Sequence, residues 1–229
     1  MASTLISATD GALKHRLSQP RNSRFTDLSL LGQGTYGDVW KAHDLKLNKN
    51  VAIKRFKEVV CPKWGFSVTI MREISVMKAL EHQNVVKLLD VIGTDEWTND
   101  GFFLILELHD GDLDKWLDKH TGKICLDDCR NFSRQILSGC KYLHDRNVMH
   151  RDIKPDNILI NERTKKLKIA DMGLARLFEE SPDKLYSSHV QALWYRAPEL
   201  LLGQRVYGPA IDVWSIGYNM YNYYLDGLS

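Results

Sequence analysis

The sequence predicts an α+β fold in two parts, a small β-rich part followed by a larger, mainly helical one. Over Phe25–Phe56, apolar residues alternate with others around glycines and turn residues, which is the pattern of strands. Farther on, TIMREISVMKALEHQNVV and DDCRNFSRQILSGCKYLHDR carry apolar residues at helical spacing. At 229 residues and 44% hydrophobic content the chain can build one large domain or two smaller lobes.

Taken in order, LSLLGQGTYGDVWKA reads as a strand, a glycine turn and a returning strand. LNKN supplies the next turn and VAIKRF the next strand. The first helix presents Ile70, Ile74, Met77 and Leu80, with Arg72 and Glu73 beside them. FFLILEL, residues 102–108, is an apolar run of strand length followed by the polar DGDLDKWLD. A second helical stretch leads into HRDIKPDN, where two aspartates, an arginine, a lysine and an asparagine crowd together before the apolar ILI. A turn at NERTKK and the run LKIADMG complete a strand pair with Asp171 at its end.

Composition narrows the function. A net charge of +2 with 26% charged residues gives no global basic field, so direct nucleic-acid binding is not expected. No apolar stretch is long enough to span a bilayer and residues 1–24 hold no apolar signal core, so no membrane association is expected and the location is nucleus or cytoplasm. Those 24 residues set Lys14, Arg16, Arg21 and Arg24 against Asp10 and read as a basic, disordered tail, although transit peptides share the composition. The four cysteines, Cys61, Cys125, Cys129 and Cys140, show no paired CxxC and are expected as free thiols. With no HExxH among the eight histidines, no protein-ligated transition metal is expected.

Gly32, Gly34 and Gly37 form a GxGxxG, which lets a backbone approach a phosphate closely. A dinucleotide-binding turn needs a helix directly after the glycines, and here Val39 and Trp40 continue in a strand. A P-loop needs Lys and Ser or Thr where Asp38 and Val39 stand. The glycines therefore read as a lid over nucleotide phosphates.

GQGTYGDV, VAIK, HRDIKPDN, DMG and APE occur in the order of the protein kinase signature set, and the chain is identified on them as a member of that family. The match runs over about residues 25–217. GTYG, the MREIS helix, DMGLAR and LWYRAPELLLG resemble the cyclin-dependent kinases, and DMG with LLLGQRVY is similar to the branch associated with the transcriptional Mediator complex. The resemblance implies a bilobal kinase-like fold: a tail over 1–24, a small lobe and hinge over 25–108, and a large catalytic lobe over 109–229.

It also implies ATP and Mg²⁺ as cofactors, and serine/threonine phosphorylation that is proline-directed through Val190 and Arg196. In those terms Asp152 accepts the substrate hydroxyl proton, Lys154 steadies the transferred group, Lys54 contacts phosphates while paired to Glu73, and Asn157 and Asp171 hold the metal. Gly32, Gly34, Gly37, Val39, Ala52, Lys54, Glu107, Leu108, Asp112 and Leu159 line the nucleotide, with Leu106 guarding the back pocket. Met77, Leu88, His150 and Met172 match a packed core column, and Asp212 braces the catalytic loop. Arg72, Arg151 and Arg176 form a cluster that receives a phosphate on Ser187, with Ser188 or the glutamates 179 and 180 as alternatives. Thr35 and Tyr36 match inhibitory phosphorylation sites, and a cyclin-like regulatory subunit is the implied partner.

Two departures stand out. Ala192 replaces a threonine whose hydroxyl ties the catalytic aspartate and lysine to the substrate platform. After IDVWSIG the chain ends in YNMYNYYLDGLS, where relatives continue, so an incomplete large lobe is expected, with the faces around Phe132, Ile136, Leu143 and Trp214 uncovered. The alternative function is a truncated, weakly active kinase fragment that acts through partner or nucleotide binding.

Overall fold

The computed structural model describes residues 24–33, 37–56, 60–61, 65–66, 68–93, 102–120, 124–179, 181 and 183–226. These fall into two compact units. One takes the described residues up to Phe66 with Leu88–Leu108; the other takes Val68–Lys87 and everything from His109.

The first unit is built on a five-stranded antiparallel sheet. Its strands are β1 (Phe25–Gln33), β2 (Gly37–Asp44), β3 (Lys49–Phe56), β6 (Leu88–Gly93) and β7 (Phe102–Glu107), in the order β1-β2-β3-β7-β6, and a short β4–β5 ribbon joins Val60–Cys61 to Gly65–Phe66. Alternation in the sequence sets the two faces. Trp40, Ala42, Val51, Ile53, Phe103 and Ile105 point to one side and close a core with Phe25. Gly37 is required where β2 meets β3, because a Cβ there would stand 2.1 Å from the Arg55 carbonyl oxygen. Beneath the sheet Arg24 pairs with Asp44 and Asp90, each at 2.6 Å. The strand β6 escapes sequence analysis, since its residues Leu88–Ile92 are all half-buried and show no alternation.

The second unit gathers α1 (Val68–Lys78), β8 (Gly111–Asp112), α2 (Leu113–His120), α3 (Leu126–His144), β9 (Val148–Met149), β10 (Ile158–Asn161), β11 (Lys166–Ile169), β12 (Arg176–Leu177), α4 (Pro198–Leu201) and α5 (Ala210–Asp226). On α3, Cys129, Phe132, Ile136, Cys140 and Leu143 recur at three- and four-residue steps and are buried together. Gly139 lets α3 approach the backbone of Asn84, whose carbonyl oxygen would lie 2.6 Å from an added Cβ.

The sequence groups 68–87 with the small lobe, whereas these residues are counted with the second unit. The stitching explains it: Val86 N donates to Ile169 O, Ile169 N to Asn84 O, and the Asn84 amide to Gln135 and to Leu167 O. The first helix is also shorter than its apolar periodicity, ending at Lys78, with Leu80 buried just beyond it in a turn.

The expectation that Phe132, Ile136 and Leu143 stand uncovered is corrected. They are 0%, 1% and 0% exposed, because α3 packs on β11 and α5. Trp214, in contrast, is half exposed.

Candidate active site

The loop between β9 and β10 takes its shape from one buried carboxylate. Asp212, in the first turn of α5, accepts from His150 N at 2.9 Å, from Arg151 N at 2.8 Å and from His144 Nε2 at 2.9 Å. Arg151 sits at φ 67°, a left-handed conformation that costs a side-chain-bearing residue about 1–3 kcal/mol and persists only where its surroundings impose it. The Asp212 bonds are that imposition.

Within the loop His150 is fully buried. Its Nδ1 accepts from Asp152 N at 3.2 Å, and its Nε2 lies 2.8 Å from Ala170 O, to which it donates. A carbonyl can only accept and an amide N–H can only donate, so the bonds select the Nε2–H tautomer. His150 is therefore a brace between two chain segments.

Asn157 holds Asp152. Its amide nitrogen donates to the Asp152 carbonyl and to Asp152 Oδ2, both at 2.8 Å, while Lys154 Nζ lies 3.6 Å from the same carboxylate oxygen. Ala170 N donates to Asn157 O at 2.8 Å and brings Asp171 beside the loop. Asp171 is itself left-handed, at φ 61°, with its carboxylate accepting from Gly173 N. With its amide nitrogen committed to Asp152, Asn157 has its oxygen left for a cation, and with the Asp171 carboxylate this gives an all-oxygen donor set of the kind a hard divalent cation prefers.

Close by, Leu159 pairs with Asp112 across β10 and β8. Asp112 caps α2 through Lys115 N at 2.9 Å and pairs with Lys115 Nζ at 2.6 Å. Burial, reinforced by Asp156, Asp118 and Asp112, pushes the Asp114 carboxyl up. Burial also pushes the Tyr195 phenol up to about 12, with Asp114 and Asp156 adding to it. Glu73 is buried on α1, with its carboxylate beside Gly173.

In the first unit the register gathers the residues expected to line a nucleotide. Val39 stands opposite Lys54, and Ala52 opposite Leu106, all on the sheet face away from the aromatic core. Lys54 Nζ lies 5.3 Å from the centre of the Phe56 ring. Glu107 closes β7 and Leu108 follows it, both half-buried, while Gly32 faces Val39 at the other edge. Gly34, Thr35 and Tyr36 lie outside the described residues.

The three arginines of the second unit converge. Burial lowers the Arg176 pKa, and the charges of Arg72 and Arg151 lower it further. Arg151 donates to Leu174 O at 2.8 Å and to the Tyr207 hydroxyl at 3.0 Å, and that hydroxyl donates to Ser187 O. Among the described residues no carboxylate pairs with any of the three. Glu179, one of the alternative anions, pairs instead with Lys184 at 3.0 Å, and Ser187 is exposed.

Residues 25–227 match the protein kinase domain. The chain belongs to the protein kinase family. This kinase is 41% identical over 195 residues to Cell division control protein 2 homolog 1 of Trypanosoma brucei brucei, covering 85% of its own length and 62% of that relative. It is 43% identical over 207 residues to Cyclin-dependent kinase 12 of Caenorhabditis elegans and 42% over 203 residues to the Drosophila melanogaster protein of that name. Those matches cover 85% and 84% of this chain, and 27% and 17% of the relatives. Two of these relatives carry the name cyclin-dependent kinase. No helix among the described residues is long and apolar enough to cross a membrane.

Two residues that organise the segment around 187–197 escaped the sequence. Gln191 is buried and left-handed at φ 63°, with its amide bonded to Ile211 O, Ser215 Oγ and Ala197 N. Arg196 donates to Val190 O at 2.9 Å and to Gln191 O at 3.0 Å. Tyr207, the link from Arg151 to Ser187, lies 56 residues from that arginine and gives no local signal. A polar residue inside the apolar HVQAL run was the one clue to Gln191.

Proposed function

We propose that this chain transfers the γ-phosphoryl group of ATP to serine or threonine hydroxyls followed by proline, under control of a cyclin-like partner. The observation that carries the reading is the double clamp of Asn157 on Asp152, with Lys154 beside the same carboxylate. Phosphoryl transfer asks a protein for positioning and charge more than for covalent chemistry. The substrate oxygen attacks the γ-phosphorus, the bond to the β-phosphate oxygen breaks, ADP leaves, and the hydroxyl proton passes to Asp152. Lys154 supplies positive charge to the phosphoryl oxygens, and Lys54 and Glu73 take the roles that the resemblance gives them. Asn157 and Asp171 fit Mg²⁺, which when bound neutralises phosphate charge.

Proline direction rests on the Gln191–Arg196 pair. The Gln191 carbonyl is already engaged by Arg196, which makes it a poorer acceptor for an N–H of the residue after the phosphoacceptor. Proline has no such N–H to leave unpaired.

A second reading, a chain that binds partner and nucleotide but transfers slowly, is favoured by Ala192, which brings no hydroxyl to the loop. One experiment separates the two. With a cyclin partner and Mg²⁺-ATP, Ser-Pro and Ser-Ala peptides are compared for phosphate incorporation alongside nucleotide binding. Transfer favouring Ser-Pro supports the first reading; binding without transfer supports the second; transfer with no preference removes proline direction.

A further inference from the structure

Beneath the catalytic loop, three side chains unused in the proposed reaction or used there only as braces bring metal-binding atoms together. Cys140 and His144 lie four residues apart on α3 and therefore share one face of that helix. Asp212 reaches them from the first turn of α5. Cys140 Sγ is 3.3 Å from His144 Nε2, which is 2.9 Å from Asp212 Oδ2, and the three donor atoms lie within 4.8 Å of one another. Cys140 and Asp212 are buried, and the His144 side chain is 18% exposed, which leaves one open edge.

The arrangement is not a nucleophilic relay. A relay needs the acid and the nucleophile on opposite ring nitrogens, whereas here the acid and the closest approach of sulfur meet at Nε2, with Nδ1 farther off at 3.9 Å. Sulfur, imidazole and carboxylate converging on one point is instead the ligand chemistry of a borderline-soft divalent ion.

We propose that Cys140, His144 and Asp212 form a three-ligand Zn²⁺-class site joining α3 to α5, with solvent at the fourth position. Tetrahedral zinc places sulfur about 3.6 Å from nitrogen, and nitrogen about 3.4 Å from a carboxylate oxygen. The observed separations of 3.3 and 2.9 Å are shorter than this by about 0.3 and 0.5 Å, so the three side chains part slightly to admit the ion. Binding forms the S–metal bond, releases the thiol proton to solvent and moves the ring proton of His144 from Nε2 to Nδ1. Nothing is oxidised or reduced. Asp212 gives the metal the lone pair it now offers His144, while His150 N and Arg151 N keep theirs. Occupancy therefore fixes the brace of the catalytic loop from a third side.

The test uses the full 229-residue chain freed of metal by a chelator and titrated with Co²⁺. The site predicts a near-ultraviolet sulfur-to-cobalt charge-transfer band saturating at one equivalent, with visible bands of tetrahedral intensity, and displacement by Zn²⁺. The band disappears in Cys140→Ala and persists in Cys61→Ala, Cys125→Ala and Cys129→Ala. X-ray absorption of the Zn²⁺ form of the unsubstituted chain needs no variant to fold and shows one sulfur at about 2.3 Å with nitrogen and oxygen at about 2.0–2.1 Å. A titration without the charge-transfer band, a band that survives Cys140→Ala, or a shell with no sulfur or more than one overturns the proposal.

Discussion

In the loop over 150–157 the polar groups are held by other groups of the chain, whereas Arg72, Arg151 and Arg176 gather with no carboxylate among the described residues to answer them. Asp152 has Asn157, His150 has Ala170, and the backbone of residues 150 and 151 has Asp212. Arg176 has Arg72 and Arg151 as neighbours, and burial first, then their charges, lower its pKa. Arg151 belongs to both regions, bonded through its backbone to Asp212 and through its side chain to Leu174 O and the Tyr207 hydroxyl. The groups of the loop find partners within the chain; among the described residues the cluster finds no carboxylate. A phosphate brings close to two negative charges and three acceptor oxygens, which suits three converging guanidinium groups.

The comparison is tested first where the loop should fail outright. Asp152→Asn is expected to lower phosphate transfer by about 10³-fold while leaving the melting temperature nearly unchanged, because it removes a proton acceptor and not a packing group. Transfer that persists at wild-type rate in a radiolabelling assay would end the role given to Asp152.

Next comes the brace. Asp212→Ala leaves the buried N–H groups of His150 and Arg151 without an acceptor, for an expected loss of about 3 kcal/mol in denaturant unfolding. A loss under about 1 kcal/mol would mean that the left-handed loop is held by something else.

The cluster should respond more gently. Ser187→Ala is expected to lower partner-stimulated transfer about tenfold, with Ser187→Glu restoring only part of it, since a carboxylate has less charge and fewer acceptors. Equal rates for Ser187→Ala and the unsubstituted chain, measured with saturating partner, would show that the arginines do not wait for this serine.

The smallest effect is expected in the first unit. Burial raises the Asp44 carboxyl, but bonds from Arg24 and from the backbone of Leu47 and Lys46 outweigh it and hold the pKa below the usual carboxylate value. A depressed folded pKa contributes stability that is present above the unfolded pKa of about 4 and is lost as pH falls through the folded value. The stability gap between the unsubstituted chain and Asp44→Asn should therefore narrow as acid is added below about pH 4. A constant gap across that range would remove the Arg24–Asp44 pair as its cause.

The sequence by itself determined most of the succession of strands and helices and the polar crowd at 150–157, because each is a local pattern: alternation, helical spacing, or charges packed within eight residues. It missed β6, whose half-buried residues alternate on neither face, and it overran α1 because Leu80 is buried from a turn as well as from a helix. It also left Phe132, Ile136 and Leu143 uncovered, since no local pattern reveals that β11 and α5 close over α3. Only the tertiary structure added His144 to the partners of Asp212, bound Arg151 to Ser187 through Tyr207, and set Cys140, His144 and Asp212 together. The physical reason is range. Periodicity and turn chemistry act over a few residues, whereas a buried carboxylate takes its partners from whatever chain the packing brings within hydrogen-bonding distance.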